Sequence, residues 1–184
     1  VPSAVQSVIV AVTLLLQVIL TSPLPENVLQ SIHNTVYKQK VIKCCIYCLR
    51  YLSKENYVQP VDILSRLVLG SMHFASQFLL YGGLDGNLTR ELLDTNNNPR
   101  IIINMIMIIS QLARLKQDNY VAIEQANIYQ ELKILLRHKD PDIRAKVCNL
   151  IGNMCRHSDF FYESLAKQEL LQELIERCQD PDSN

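Results

Sequence analysis

The stretch DPDIRAKVCNLIGNMCR, residues 140–156, decides how the rest of the chain is read. Asp140 can accept from the free amides of a first helical turn, and Pro141 falls where a missing N–H costs nothing. After them, Ile143, Val147, Leu150, Ile151 and Met154 recur on one face of a 3.6-residue period. One side of this helix is therefore core.

The same pattern occurs 42 residues earlier. In that register Pro99 matches Pro141, Ile101 matches Ile143, Ile109 matches Ile151, Arg114 matches Arg156 and Tyr120 matches Tyr162; Gln130, Glu131 and Leu132 match Gln172, Glu173 and Leu174. Apolar character also agrees between Met105 and Val147, Leu112 and Met154, Ile123 and Leu165, and Ile128 and Leu170. A third copy begins at Asp180, Pro181 and Asp182. A helical repeat of about 40 residues is the mark of armadillo and HEAT arrays. The expected fold is all-α, an armadillo-type α-solenoid forming a right-handed superhelix. It has about four repeats over residues 1–184, truncated at both ends, and they are clearest at 57–97, 98–139 and 140–179.

Working outward, residues 2–20 read as one helix, apolar nearly all round, as the inner helix of a repeat whose earlier part is missing. Pro23 and Pro25 end it. Two helices follow over 26–37 and 38–52, then one beginning at Gln59 and Pro60 and stopping near Gly70. A shorter helix over 73–81 ends at Gly82 and Gly83, where a residue free to take positive φ is wanted, and another covers 85–94. Each later repeat is a long, a short and a medium helix, which favours the armadillo triplet over the two-helix HEAT unit: about 98–114, 118–126 and 128–137, then 140–157, 158–167 and 168–178.

Eighteen basic residues balance eighteen acidic ones, without a basic run, so nucleic acid is not an expected partner. Three of the six cysteines, Cys44, Cys45 and Cys48, crowd one helix without the paired spacing that zinc requires. Reduced, buried thiols are the leading reading, over disulfides and metal, and they point to the cytosol. The uncharged first 25 residues raise a membrane span, but the apolar run Val8 to Leu20 is short and interrupted by Thr13 and Gln17. A buried solenoid helix is preferred there, so no membrane partner is expected. The chain starts without Met and reads as an excerpt of a longer protein.

No polar constellation suggests catalysis. The glycines around 82–86 lack phosphate-loop spacing, the kinase signatures are missing, and His157, Ser158 and Asp159 are too close in sequence to face one another as a triad. No cofactor is expected and no metal set is visible among the histidines. What remains is surface. Asn149 and Asn153 lie one turn apart off the apolar stripe, with Met107 and Gln111 as register partners and Arg156 at the end of the helix. Amides can hold a partner's backbone, and Met gives an adaptable apolar contact. Two readings stand for these residues: a partner-binding groove, or locally satisfied amides beside inter-repeat core. The apolar run Ile101 to Ile109 is either enclosed by neighbouring repeats or partly an interaction patch.

Residues 148–154, CNLIGNM, resemble the end of an armadillo repeat, small-x-Ala-Leu-Ser-Asn-Leu, with Asn153 at the groove asparagine. More narrowly, residues 60–184 resemble the C-terminal helical-repeat region of the Fused family of serine/threonine protein kinases, on ILSRLVL at 63–69, QFLLYGG at 77–83 and DIRAKVCNLIGNMCRH at 142–157. That resemblance implies a non-catalytic region that docks protein partners in Hedgehog signalling and motile-cilium assembly, in the cytoplasm or cilium, with a kinase domain upstream of Val1. The chain has no Trp, so the Trp–Asn ladder of nuclear-import adaptors cannot form. The alternative is a structural spacer within a large helical assembly.

Overall fold

The computed structural model describes residues 2–177. Among them every regular element is helical: α1 (Ser3–Thr21), α2 (Glu26–Lys38), α3 (Val41–Leu49), α4 (Val58–Gly70), α5 (Met72–Leu80), α6 (Gly86–Leu92), α7 (Pro99–Leu115), α8 (Tyr120–Ala126), α9 (Tyr129–Leu135), α10 (Pro141–Met154), α11 (Tyr162–Lys167) and α12 (Leu170–Arg177), with single 3-10 turns at Lys54–Asn56 and Gln117–Asn119. The expected third copy at Asp180 lies outside the described residues. The chain divides into two compact units, Val1–Gly83 and Leu84–Asn184.

The helix starts follow local chemistry. Asp140 caps α10 by accepting from the Asp142 amide at 3.0 Å, and Asn98, 42 positions earlier, caps α7 by accepting from the Arg100 amide at 3.0 Å. In both helices proline takes the first position, where no N–H is missed. Asp85 and Ser71 cap α6 and α5 in the same way.

The corners recur as regularly as the starts. Among the described residues, positive φ occurs at Lys40 (54°), Gly82 (78°), Asn127 (47°) and Glu169 (59°), at spacings of 42, 45 and 42. Lys40 precedes α3, Gly82 follows α5, Asn127 separates α8 from α9 and Glu169 separates α11 from α12. Only Gly takes this conformation without steric cost, and Asn tolerates it better than Lys or Glu. Left-handed geometry kept through such different side chains marks a turn imposed by the packing of the helices on either side.

In the first unit, α4 is the centre. It packs against α1, α3 and α5, burying Val61, Leu64, Leu67 and Val68 against Ile42, Ile46, Leu49, Phe74 and Phe78. Gly83 is required beside this core, because a Cβ there would lie 2.5 Å from the Phe78 ring. Helix α1 departs from the buried solenoid helix expected from composition. Only Thr13 and Leu20 are buried, whereas Val8, Val12 and Leu15 are 60–62% exposed. Its inward side is held by polar groups: Gln17 Nε2 donates to Asp62 Oδ2 at 2.7 Å, and Gln6 Oε1 accepts from Ser53 Oγ at 3.0 Å and Asn56 Nδ2 at 3.3 Å. By length and composition alone α1 could also cross a membrane.

In the second unit, α7 and α10 form the main contact. Ile101, Ile102, Met105, Ile106, Ile108, Ile109 and Leu112 of α7 are all buried, as are Ile143, Val147, Leu150, Ile151 and Met154 of α10. The apolar run in α7 is thus mostly enclosed. At α8 the ring of Tyr120 packs against Phe161, with centroids 4.7 Å apart. Tyr162, the sequence partner of Tyr120, is exposed. The identity between these tyrosines therefore does not carry equivalent burial; the ring that fills the second copy belongs to the preceding residue.

Candidate protein-binding face

The candidate residues lie beside the buried seam of α7 and α10. Asn149 and Arg156 are exposed, and Met107, Gln111 and Asn153 are half-buried. The structure brings Asn149 and Asn153 together and ties them to α7. Asn153 Nδ2 donates to Ser110 Oγ at 2.7 Å and to Asn149 Oδ1 at 3.0 Å. Both donor hydrogens of Asn153 are thereby engaged inside the protein, leaving its Oδ1 as an acceptor and the NH2 of the exposed Asn149 as a donor. Arg114 Nη2 donates to Gln111 Oε1 at 2.6 Å, which engages the Gln111 acceptor and leaves its NH2 group as a donor.

Ser110, Arg114 and His157 complete the face, and periodicity does not single them out. The register partner of Asn153 is Gln111, yet its bonded neighbour is Ser110, because side chains of packed helices interleave. His157 reaches α7 through Nε2, 2.9 Å from the Arg114 carbonyl oxygen, and its backbone N–H donates to the Tyr120 hydroxyl at 3.3 Å. With Asn149, Gln111 and Arg156 presenting N–H groups, the face suits a partner that brings acceptors, such as peptide carbonyls or carboxylates.

A polar ladder joins α9, and Arg137 just past its end, to the end of α11 and to α12, across 36 to 38 positions of sequence. Gln130 Nε2 donates to Gln168 Oε1 at 2.6 Å and Lys133 Nζ to Glu169 Oε2 at 2.6 Å. Arg137 grips Glu173 with both Nε, at 2.8 Å from Oε2, and Nη2 on the other oxygen. The Arg137 hydrogen bond holds the buried Glu173 carboxyl below the usual carboxylate range. Deeper in, Tyr129 donates to Glu124 Oε2, and Ser164 Oγ donates to Glu124 Oε1 at 2.8 Å. Burial, then the Glu124 contact, pushes the Tyr129 phenol above its ordinary range, so it acts here as a fixed donor.

Two other features bear on chemistry. A cleft of about 300 Å³ in the first unit is lined by His33, Asn34, Tyr37, Ser71, His73 and Phe74. Its rings hold one another edge-on, His33 against Phe74 and Tyr37 against His73, each pair with centroids 6.0 Å apart. Among the described residues no three His, Cys, Asp or Glu side chains gather as a metal ion would need. Burial pushes the Cys45 thiol up to about 12, with nearby Cys48 and Cys44 adding to the effect, so it is an inert thiol at neutral pH.

No family profile matches the chain. Among curated proteins, serine/threonine-protein kinase TIO of Arabidopsis thaliana is 41% identical over 113 residues, 61% of this chain. That alignment spans only 8% of the kinase's length. Crystal structures of two engineered proteins superpose on 83% of this chain, each with a TM-score of 0.73, at 14% and 16% identity. The matched part is 61% and 62% of those chains, and at such low identity the likeness concerns the helical fold alone.

Proposed function

We propose that this chain is a non-catalytic docking region of a Fused-type serine/threonine kinase, built as armadillo-type repeats at 57–97, 98–139 and 140–179. The observation that carries the reading is the 41% identity to a short part of a serine/threonine kinase, in a chain whose regular elements among the described residues are all helices. A protein kinase places its nucleotide-binding lysine on a β-strand, and no strand occurs among the described residues. The repeat architecture is supported by the left-handed corners spaced 42, 45 and 42 residues apart. It is also supported by side-chain bonds that join residues 36 to 43 positions apart in the second unit. Stacked repeats touch only their neighbours, so their long-range contacts recur at one repeat length.

In this reading the α7–α10 face holds an acceptor-rich protein segment through Asn149, Gln111 and Arg156, with Met107 as the apolar contact. The setting is cytoplasmic or ciliary, in Hedgehog signalling and motile-cilium assembly. A pulldown with the chain as bait tests it: a saturable partner weakened by Asn149→Ala and Gln111→Ala supports docking. A second reading, a structural spacer, is favoured by the enclosed α7 and by the engaged donors of Asn153. It predicts no saturable partner, and no effect of those two substitutions on binding.

A further inference from the structure

Arg137 and Glu173 are joined by a two-pronged bond, and the same two positions counted 42 residues earlier are Thr95 and Glu131. The register is anchored at both ends. Arg137 stands four residues before Pro141 and Thr95 four before Pro99, while Glu173 and Glu131 each sit between Gln and Leu. The carboxylate is kept and the guanidinium is gone. Thr95 and Glu131 instead line a cleft of about 270 Å³ within the second unit, together with Arg90, Leu93, Asp94 and Ile134.

Glu131 shows what the cleft lacks. Its Oε2 is shut off from water and has no hydrogen-bond partner, whereas both oxygens of Glu173 are held by Arg137. A buried carboxylate oxygen left unpaired carries a free-energy cost that a charged donor removes. The cation already lining the cleft is engaged elsewhere. Arg90 donates through Nη1 to the Ala126 carbonyl at 3.0 Å and through Nη2 to Asn87 Oδ1 at 2.9 Å, and Glu131 Oε2 stays unpaired beside it.

We infer that this cleft receives an arginine side chain of a partner protein, with the guanidinium on the Glu131 carboxylate and the stem against Ile134. Charge favours a cation, since Asp94 and Glu131 outnumber Arg90. Shape favours Arg over Lys, because the matching bond 42 positions later is a planar fork on two oxygens. Size favours a single side chain, since pockets for whole small molecules run to roughly 300–1,000 Å³. Ile134, 57% exposed, offers the apolar wall along which an arginine stem packs. The cleft shares no residue with the α7–α10 face, so the two docking sites stand or fall separately.

Titration of residues 1–184 with the peptide acetyl-Ala-Ala-Arg-Ala-Ala-amide, followed through the backbone amide NMR signals of Glu131 and Ile134, tests it. The expected result is saturable binding with a dissociation constant on the order of 1 mM, as one charged anchor allows. The same peptide with citrulline, the neutral isostere, in place of arginine should not bind. Glu131→Gln keeps the shape and should weaken binding at least about tenfold. Thr95→Arg supplies the guanidinium from within the chain and should abolish binding; because Thr95 is exposed, circular dichroism should not change. The inference is overturned by an absence of shifts up to about 20 mM peptide, by equal binding of the citrulline peptide, or by binding that either substitution leaves undiminished.

Discussion

Helices α1 and α7 are both long and both strongly apolar, yet they are treated in opposite ways. In α7 seven Ile, Met and Leu side chains are sealed against neighbouring helices; in α1 seven Val, Leu and Ile side chains are left bare. The contrast teaches that apolar content along a helix fixes how much surface seeks cover, but not where the cover comes from. In α7 it is α10 and the short helices of the same unit. In α1 the near side is taken by α4 and polar contacts, and the far side looks outward.

The largest expected effect breaks the comparison directly. Ile109→Ala empties a fully buried site and should lower unfolding free energy by about 3 kcal/mol, whereas Val8→Ala should change it by less than about 0.5 kcal/mol. Urea denaturation of both variants measures this. Equal losses would mean that α1 is as enclosed as α7.

A smaller effect concerns the side-chain bonds that tie helices together in each unit. The first unit ties α1 with neutral glutamines, whereas the second uses the Arg137–Glu173 pair. Arg137 lowers the Glu173 pKa on folding, below an unfolded value of about 4.3. The pair thus contributes above that pH and its contribution is lost as pH falls through the folded value. Glu173→Gln should lower the melting temperature at pH 7, and the gap from wild type should close once the pH is taken below about 4. A gap that stays constant with pH would remove the ionic role.

The left-handed corners, common to both units, should respond with opposite signs. Asn127→Ala forces a Cβ-bearing residue without a helpful amide into φ 47° and should cost about 1 kcal/mol. Lys40→Gly relieves strain of that size but frees the unfolded chain, leaving a net gain of about 0.5 kcal/mol. Thermal melts read both changes. A loss at Lys40 would mean that its side chain contributes more than its backbone costs.

Much of the fold was legible in the residues. Asp140 with Pro141 and Asn98 with Pro99 announced the two long helices, the stripe from Ile143 to Met154 named the buried side of α10, and Gly82 marked a left-handed stop. The last repeat's helices came out shorter than periodicity suggested, since α10 closes at Met154 and α11 opens only at Tyr162, whereas α7 runs its expected length. The candidate face was legible in part. Asn149 does stand exposed on its helix, but the capture of Asn153 by Ser110 has no signature in spacing, because it joins residues 43 positions apart. The left-handed corners at Lys40 and Glu169 were likewise silent, since neither residue type favours that conformation.

By itself, the sequence determined that this is a chain of amphipathic helices, with residues 99–132 echoed 42 positions later, because caps and a 3.6-residue stripe are local physics written within each segment. Tertiary structure alone decided which apolar faces are covered and which amides are engaged. Burial and hydrogen bonding depend on what lies across from a side chain, and for the bonds of Asn153, Ser164 and Arg137 that neighbour is 36 to 43 positions away along the chain.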